Sequence, residues 1–325
     1  MDIKEGKQQV IRAGKELSET ELISRTWGNV SCRIDLESFL ITASGKNYLT
    51  LVDDEVIQVK SKDLTYEGKV KPSSEKRIHR EIYRLRNDVN FVIHTHQNNA
   101  SAISAMGLDS ITLDKDYPGL GREIICADYG LPGTKKLCKH TAGAVSLLPN
   151  KAVILKHHGA VCYGRDYEEA FAVSRTLEEA CGNYLAKLSR IFTEEQEGQP
   201  SPDSSDENIL WNTSMPVRTF SKKGISLRPF LDDFSQIVGT KAKCIKNNKE
   251  EIHDAIKKGK TVLVRGKGAL CIGRTGKETE AISMLVEKNC KAYFASEAVG
   301  GNPIKPWECA LMRQIYLRKY YKLGV

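Results

Sequence analysis

The sequence is organised around the stretch Phe91-Val92-Ile93-His94-Thr95-His96, which is followed by the polar residues Gln97-Asn98-Asn99. An apolar run that is rich in branched residues and bounded by polar ones predicts a short buried strand. Because side chains alternate between the two faces of a strand, His94 and His96 are expected to point to the same side. Two imidazoles that converge at a strand end could share a divalent metal, but two ordinary hydrogen-bonded histidines at the edge of a core would fit the same pattern.

A second strand-like run supplies a third histidine. Residues 151–156, with the sequence KAVILK, lead directly into His157-His158-Gly159. Catalytic zinc commonly has three protein ligands and keeps one position open for substrate. The third histidine therefore favours a metal site over a pair of unrelated core histidines.

The composition sets limits on the class of protein. The 325 residues, 40% hydrophobic and 28% charged, fit a globular protein with two domains. No apolar run approaches the roughly 20 residues that a membrane span needs, and the N-terminus has no signal-peptide core. The nine cysteines form no CxxC pair, which is typical of a reducing cytoplasm. The net charge of +8 is interleaved with acidic residues rather than gathered in a basic stripe, so we expect neither nucleic acid nor a membrane as a partner.

Three short segments with small residues precede the first histidine: Gly28-Asn29, Ser44-Gly45 and Ser73-Ser74-Glu75. The first two fit ordinary turns next to strands as well as they fit the close approach of a ligand. The third predicts a helix start, where a serine can cap the helix and the N-terminus can bind a phosphate. On local evidence alone, Glu75 is a first-turn carboxylate with a structural role.

The chain partly repeats itself. Residues 151–186 align without a gap on residues 260–295, and fourteen of the 36 positions are identical. The identities include the glycines of the turn, so we favour duplication over a chance likeness of two strand–turn–helix units. In the second copy His157-His158 is replaced by Gly266-Lys267. A protonated lysine is a poor metal ligand, so we expect one active site, in the first half.

An acidic segment separates the two halves. Residues 193–209 are rich in Ser, Pro and acidic residues and nearly free of apolar ones, which predicts an exposed linker. The predicted domains are therefore residues 1–192 and residues 210–325.

Taken in order, the three small-residue segments, the His-x-His pair and His158-Gly159 resemble the class II aldolase/adducin family, over about residues 5–190. The resemblance implies that His94, His96 and His158 bind Zn²⁺ (Mn²⁺ and Co²⁺ also suit imidazoles) and that Glu75 is the catalytic acid/base. It implies a substrate phosphate site formed by Gly28, Asn29, Ser44, Gly45, Ser73 and Ser74. Family aldolases use a tyrosine as a further acid, for which Tyr117 is the candidate.

The resemblance also implies a fold and an activity. The expected fold is a three-layer α/β/α domain with a largely antiparallel central sheet, followed here by a partial degenerate copy, in a homo-oligomer. The expected enzyme is a zinc-dependent lyase of carbohydrate metabolism that cleaves a phosphorylated ketose to dihydroxyacetone phosphate and an aldehyde. Two alternatives stay open: a ketose-phosphate epimerase or dehydratase on the same scaffold, and a non-catalytic adducin-like interaction module. The intact set of three histidines and Glu75 argues against the second alternative.

Overall fold

The computed structural model describes residues 2–20, 22, 27–189, 192 and 206–319. The chain divides into two compact units, Met1–Tyr184 and Leu185–Val325. Most of the segment in which the sequence predicts a linker, residues 193–205, lies outside the described residues.

The first unit alternates strands with helices. Its strands are β1 (Gly28–Arg33), β2 (Ser38–Thr42), β3 (Val56–Lys60), β4 (Phe91–Thr95), β5 (Ser110–Tyr117), β6 (Gly121–Ala127), β7 (Ala152–Leu155) and β8 (Gly159–Gly164). Its helices are α1 (Ile3–Glu19), α2 (Lys76–Leu85), α3 (Asn98–Ser104), α4 (Lys135–Val145) and α5 (Tyr167–Leu188), the last of which ends beyond the unit boundary. Helix α4 begins after Thr134, whose hydroxyl accepts a hydrogen bond from the amide of Leu137.

The eight strands form one sheet in the order β3-β2-β1-β4-β8-β7-β6-β5. Among the described strands, β6 and β7 pair in parallel and all other neighbours pair antiparallel, so the predicted largely antiparallel sheet is confirmed. Strand β4, which contains His94 and is directly followed by His96, lies in the middle of the sheet. His94 is opposite Asn29 of β1 on one side and Val161 of β8 on the other.

Helices cover both faces of this sheet, which gives the predicted three layers. One core cluster joins Val92 of β4 to residues of α2 and α4. The cluster on the other face joins Phe91 and Ile93 to residues of α1 and α5. Because alternate residues of a strand share a face, His94 lies on the same side as Val92, toward α2. The fold thus directs this histidine to the helix that follows Glu75.

The second unit contains a smaller sheet. Its strands are β9 (Ile209–Asn212), β10 (Lys243–Ile245), β11 (Val262–Val264) and β12 (Gly268–Ile272). Its helices are α6 (Met215–Lys222), α7 (Asp232–Ile237), α8 (Lys249–Lys257), α9 (Gly276–Val299) and α10 (Pro306–Lys319).

The smaller sheet follows the plan of one half of the larger one. Its order β10-β11-β12-β9 matches β6-β7-β8-β4, with a parallel first pair and antiparallel pairs after it. The register matches as well: Trp211 is opposite Leu270, as His94 is opposite Val161. The likeness therefore extends to the counterparts of β4 and β6, beyond the segment that aligns in sequence.

Within the described parts of the chain, each helix is too short or too polar to cross a bilayer.

Candidate metal centre

Three histidines meet at one end of the large sheet. His94 lies in β4, His96 directly follows the last residue of that strand, and His158 lies in the turn between β7 and β8. All three are buried, and their ligand nitrogens lie within 4.8 Å of one another. The Nε2 atoms of His94 and His96 are 3.1 Å apart. The structure thus brings together the three histidines that the sequence proposes as ligands.

A tight turn places His158. The amide of His158 donates to the carbonyl oxygen of Leu155 at 3.0 Å, and His157 adopts a left-handed conformation with φ +60°. A three-residue hairpin loop commonly contains one left-handed residue, and here that residue is His157. The turn sends the two adjacent histidines in different directions. The ring of His157 packs against the ring of Tyr129, with 5.4 Å between the ring centroids. The ring of His158 stacks on that of His94, with 4.7 Å between the centroids.

The ring orientation of His94 is fixed by the neighbouring strand. Its Nδ1 lies 2.8 Å from the carbonyl oxygen of Ala160. Because a carbonyl oxygen can only accept, Nδ1 carries the proton, and in the neutral ring Nε2 presents its lone pair to the cluster. Burial lowers the pKa of His94 well below its ordinary value, against the opposing charge of Glu75, and so favours this neutral form. A backbone partner of this kind is the usual support of a metal-binding histidine.

Glu75 faces the histidines. Its Oε1 lies 3.0 Å from Nε2 of His158, and its Oε2 lies 3.2 Å from Nε2 of His94. Burial alone would raise the pKa of this carboxyl, but electrostatic interaction with His94 and His158, with hydrogen bonds from His158 and Asn29, holds it well below its usual range. Glu75 is therefore an ionised, buried carboxylate. At the start of α2 its side chain makes no capping hydrogen bond, so the local expectation of a structural first-turn role does not describe its contacts.

The donor set suits a divalent transition metal. Zn–N bonds of about 2.0–2.1 Å place two nitrogens of a tetrahedral site roughly 3.3 Å apart. The separation of 3.1 Å between the Nε2 atoms of His94 and His96 is close to this value. Three imidazoles beside one carboxylate are also a chemically suitable set for such an ion. The three histidines could hold the metal, with Glu75 in contact with two of them.

The sequence analysis did not identify His79, which lies one turn of α2 beyond Glu75. His79 is fully buried, and its Nε2 contacts Oδ1 of Asn29, whose Nδ2 donates to Oε2 of Glu75 at 2.9 Å. On its other side, Nδ1 of His79 lies 2.6 Å from Oγ of Ser31. The spacings Asn29/Ser31 and Glu75/His79, two and four residues, are the sequence signal for this network.

The residues that the resemblance assigns to phosphate fall into two places. The strand end that precedes Ser44-Gly45 and the segment that precedes Ser73-Ser74 lie side by side, because Ala43 and Pro72 form an antiparallel bridge. The amide of Ser44 donates to the carbonyl oxygen of Lys71 at 3.0 Å, and Gly45 takes the left-handed φ of +69°. Gly28 and Asn29 begin β1, where the Asn29 side chain bonds to Glu75.

Tyr117 occupies a different setting. It ends β5, the outermost strand of the sheet, and its side chain is buried. Its hydroxyl accepts from Nδ2 of Asn183 at 3.1 Å and lies 3.5 Å from Oδ1 of Asp114. These contacts tie the hydroxyl to α5 and to β5 itself.

The second unit has other residues at the corresponding positions. The register of the sheet places Trp211 where the first unit has His94, and Lys267 aligns with His158. The Lys267 ammonium lies 3.7 Å from the centroid of the Trp211 ring, a cation–π pair. Gly266, with φ +74°, takes the left-handed position that His157 occupies in the first unit.

Comparison with known proteins gives a consistent result. Residues 8–185, more than half of the chain, match the family model of the Class II Aldolase and Adducin N-terminal domain. The L-fuculose phosphate aldolase of Escherichia coli K12 is 31% identical over 210 residues, which cover 62% of this chain and 89% of that protein. A solved L-fuculose 1-phosphate aldolase structure superposes with a TM-score of 0.52 at 28% identity, over 56% of this chain and 86% of that one. YgbL of Klebsiella pneumoniae, at 22% identity and a TM-score of 0.52 over 58% of this chain and 92% of its own, supports the fold alone. The chain belongs to the class II aldolase and adducin family.

Proposed function

We propose that the protein is a metal-dependent aldolase that cleaves a phosphorylated ketose into dihydroxyacetone phosphate and an aldehyde. The observation that carries the proposal is the contact of the ionised Glu75 carboxylate with the Nε2 atoms of both His94 and His158, all three side chains being buried. A binding module has no use for a buried charge of this kind, which costs free energy unless it is paired. An enzyme that transfers protons next to a metal does need a buried carboxylate of this kind.

His94, His96 and His158 would hold the metal, with Zn²⁺ as the first candidate and Mn²⁺ or Co²⁺ as alternatives. When bound there, a divalent metal supplies Lewis-acid polarisation of the substrate carbonyl. The burial of all three rings keeps bulk water away from the reacting atoms.

Glu75 is the proton carrier in this proposal. Retro-aldol cleavage moves one proton from the hydroxyl beside the breaking carbon–carbon bond to the carbon that retains the electron pair. Because Glu75 is ionised and buried, it can accept a proton and return it at that carbon. The Asn29 amide donates to Oε2 of Glu75, so we also assign its side chain to the orientation of this carboxylate.

We propose that Gly28, Asn29, Ser44, Gly45, Ser73 and Ser74 bind the substrate phosphate. Two of these segments are held together by the bridge between Ala43 and Pro72. Serine hydroxyls near the start of a helix are suitable donors to a phosphate, and α2 begins directly after Glu75. An anchored phosphate would fix the reacting carbon relative to Glu75.

The test is a screen of ketose 1-phosphates with metal-loaded, full-length protein, followed by release of dihydroxyacetone phosphate. Release that requires the metal and is lost on chelation is the expected result. Conversion of a ketose phosphate into an isomer without release would identify an epimerase instead. Metal-loaded protein that transforms no ketose phosphate would overturn the proposal.

A further inference from the structure

Two periodic rows of polar side chains, one on β1 and one along α2, face each other and begin at the histidine cluster. On β1 the row is Asn29 and Ser31, two residues apart; on α2 it is Glu75, His79 and Tyr83, four residues apart. Two residues of a strand advance by about 6.6 Å, and four residues of a helix advance by about 6.0 Å. Because these steps nearly match, the two rows can interdigitate along their length.

The contacts show this interdigitation. Starting at the active site, Asn29 bonds to Glu75 at 2.9 Å and to Nε2 of His79, and Ser31 Oγ lies 2.6 Å from both Nδ1 of His79 and the hydroxyl of Tyr83. All five side chains are buried, with His79 and Ser31 at 0% exposure. A continuous chain of hydrogen bonds therefore links the carboxylate to the far end of α2.

The chemistry of its members fixes the direction of the chain. Nδ2 of Asn29 donates to Oε2 of Glu75, which leaves Oδ1 of the same amide facing Nε2 of His79. Oδ1 only accepts, so His79 donates from Nε2 and its Nδ1 bears the lone pair. Ser31 then donates to Nδ1, and its oxygen accepts from the hydroxyl of Tyr83. Every bond points toward Glu75.

We propose that His79 is a positioning residue of the active site, which holds the Asn29 amide in the orientation that donates to Glu75. This inference rests on the proposed function of Glu75 as proton carrier. Without a donor at the position of Nε2, the amide of Asn29 could turn over and present its oxygen to the carboxylate. Glu75 would then lose a hydrogen bond and meet a repulsive dipole.

The kinetic test is a double-mutant cycle in full-length, metal-loaded protein. His79→Leu and Asn29→Ala should each lower kcat by roughly the 10–100-fold seen when the support of an active-site ligand is removed. The double variant should be no slower than Asn29→Ala alone, because the two residues act as one unit. His79→Gln, which keeps one donor and one acceptor, should recover part of the loss. Thr141→Val is the control, since Thr141 is buried on α4 and its hydroxyl bonds to its own helix at Leu137; its kcat should stay that of the wild type.

Multiplied losses in the double variant, or a loss in His79→Leu that follows only from missing metal, would overturn the positioning role. A merely structural role predicts less folded protein with an unchanged kcat per metal-loaded active site. If His79→Leu does not fold, Ser31→Ala provides the second test. It removes the donor to Nδ1 and should also lower kcat.

A second readout does not depend on activity. In ¹⁵N-histidine NMR spectra, the ring that disappears in His79→Gln should show a single, slowly exchanging proton on Nε2 and none on Nδ1. A proton on Nδ1 would reverse the direction of the chain and overturn the inference. If no ketose phosphate is cleaved, the proposed function fails, but the spectrum still decides how His79 and Asn29 are bonded.

Discussion

The Nε2 atom of His158 lies 3.0 Å from Oε1 of Glu75, although 83 residues separate them in the chain. The turn between β7 and β8 and the start of α2 thus meet over one end of the sheet. A ring that could bind a metal and a carboxylate that could carry a proton touch directly. Changes at either residue are expected to affect the other.

Replacement of one histidine should show whether the metal is bound by the cluster or by histidines elsewhere in the chain. Purified protein is expected to carry about one transition metal per chain, because the described residues contain one cluster with suitable geometry. His94→Ala should lose most of that metal, measured by mass spectrometry after dialysis. His253→Ala is the matched control, since His253 is exposed on α8 of the second unit. A His94→Ala/His96→Ala variant that retains the wild-type metal content would rule out the site.

Glu75→Gln should separate proton transfer from metal binding. The change keeps the shape of the side chain but removes the basic carboxylate, so turnover should fall by the roughly 10²–10⁴ typical of losing a general acid/base. Metal content should stay near that of the wild type, because the three histidines remain. Glu67→Gln, at an exposed position, is the control for charge.

A carboxylate with only a structural role at the helix start would behave differently. Its loss would cost up to about 1 kcal/mol of stability through the helix dipole and would leave turnover unchanged. Near-normal activity of Glu75→Gln on its best substrate would therefore refute the mechanism.

Gly159→Ala should damage the site through the backbone. A Cβ at this position would lie 2.2 Å from the carbonyl oxygen of Thr95 and 3.3 Å from Cα of His96, so β4 and β8 would have to separate. Overpacking of this kind costs about 1–3 kcal/mol, and the displacement of His96 should also weaken metal binding. Thermal unfolding and metal content measure the two effects.

Gly143→Ala is the matched control for that substitution. Gly143 lies inside α4, and a Cβ there meets nothing within 4 Å. Alanine should stabilise this helix by about 0.5–1 kcal/mol and leave the metal content unchanged. Equal behaviour of the two alanine variants would show that the contact between β4 and β8 does not depend on Gly159.

His79 should make the stability of the protein depend on pH. Burial lowers its pKa to about 4 from an ordinary value of 6.5, with the charge of Glu75 acting in the other direction. Above pH 6.5 the ring is neutral in both the folded and the unfolded state. Between pH 6.5 and 4 the unfolded chain binds a proton that the folded chain does not, so stability is lost as the pH falls. The loss approaches about 3 kcal/mol at 1.36 kcal/mol per pH unit.

Urea denaturation of metal-free, full-length protein across this pH range is the measurement. The free energy of unfolding of His79→Gln should fall less steeply than that of the wild type, because its side chain does not titrate. Identical slopes would mean that His79 is protonated in the folded protein.

Much of this site was predictable from local sequence. The apolar runs that lead to His94 and to His158 predict buried strands, and the alternation of side chains along a strand places His94 and His96 together. These inferences need only the period of a strand and the residues that bound it. The start of α4 is also predictable from local sequence, since Thr134 is a good capping residue.

The contacts of Asn29 and His79 were not predictable in this way. They depend on which part of α2 lies against which part of β1, and only the folded sheet sets that alignment. The pairing of Trp211 with Lys267 could not be predicted from the internal alignment either. Trp211 lies 117 positions after its counterpart His94, whereas Lys267 lies 109 positions after His158, so an alignment without gaps includes only the lysine.

The cation–π pair of Lys267 and Trp211 bears on whether the second unit needs a metal ion to stay ordered. At the position where the first unit has its histidine cluster, the second unit carries the positive charge of Lys267. A charge that is part of the polypeptide cannot be chelated, diluted or exchanged for a competing ion. Chelation, which the proposed function expects to stop activity in the first unit, should therefore leave the corresponding strand–turn–strand segment of the second unit ordered as before.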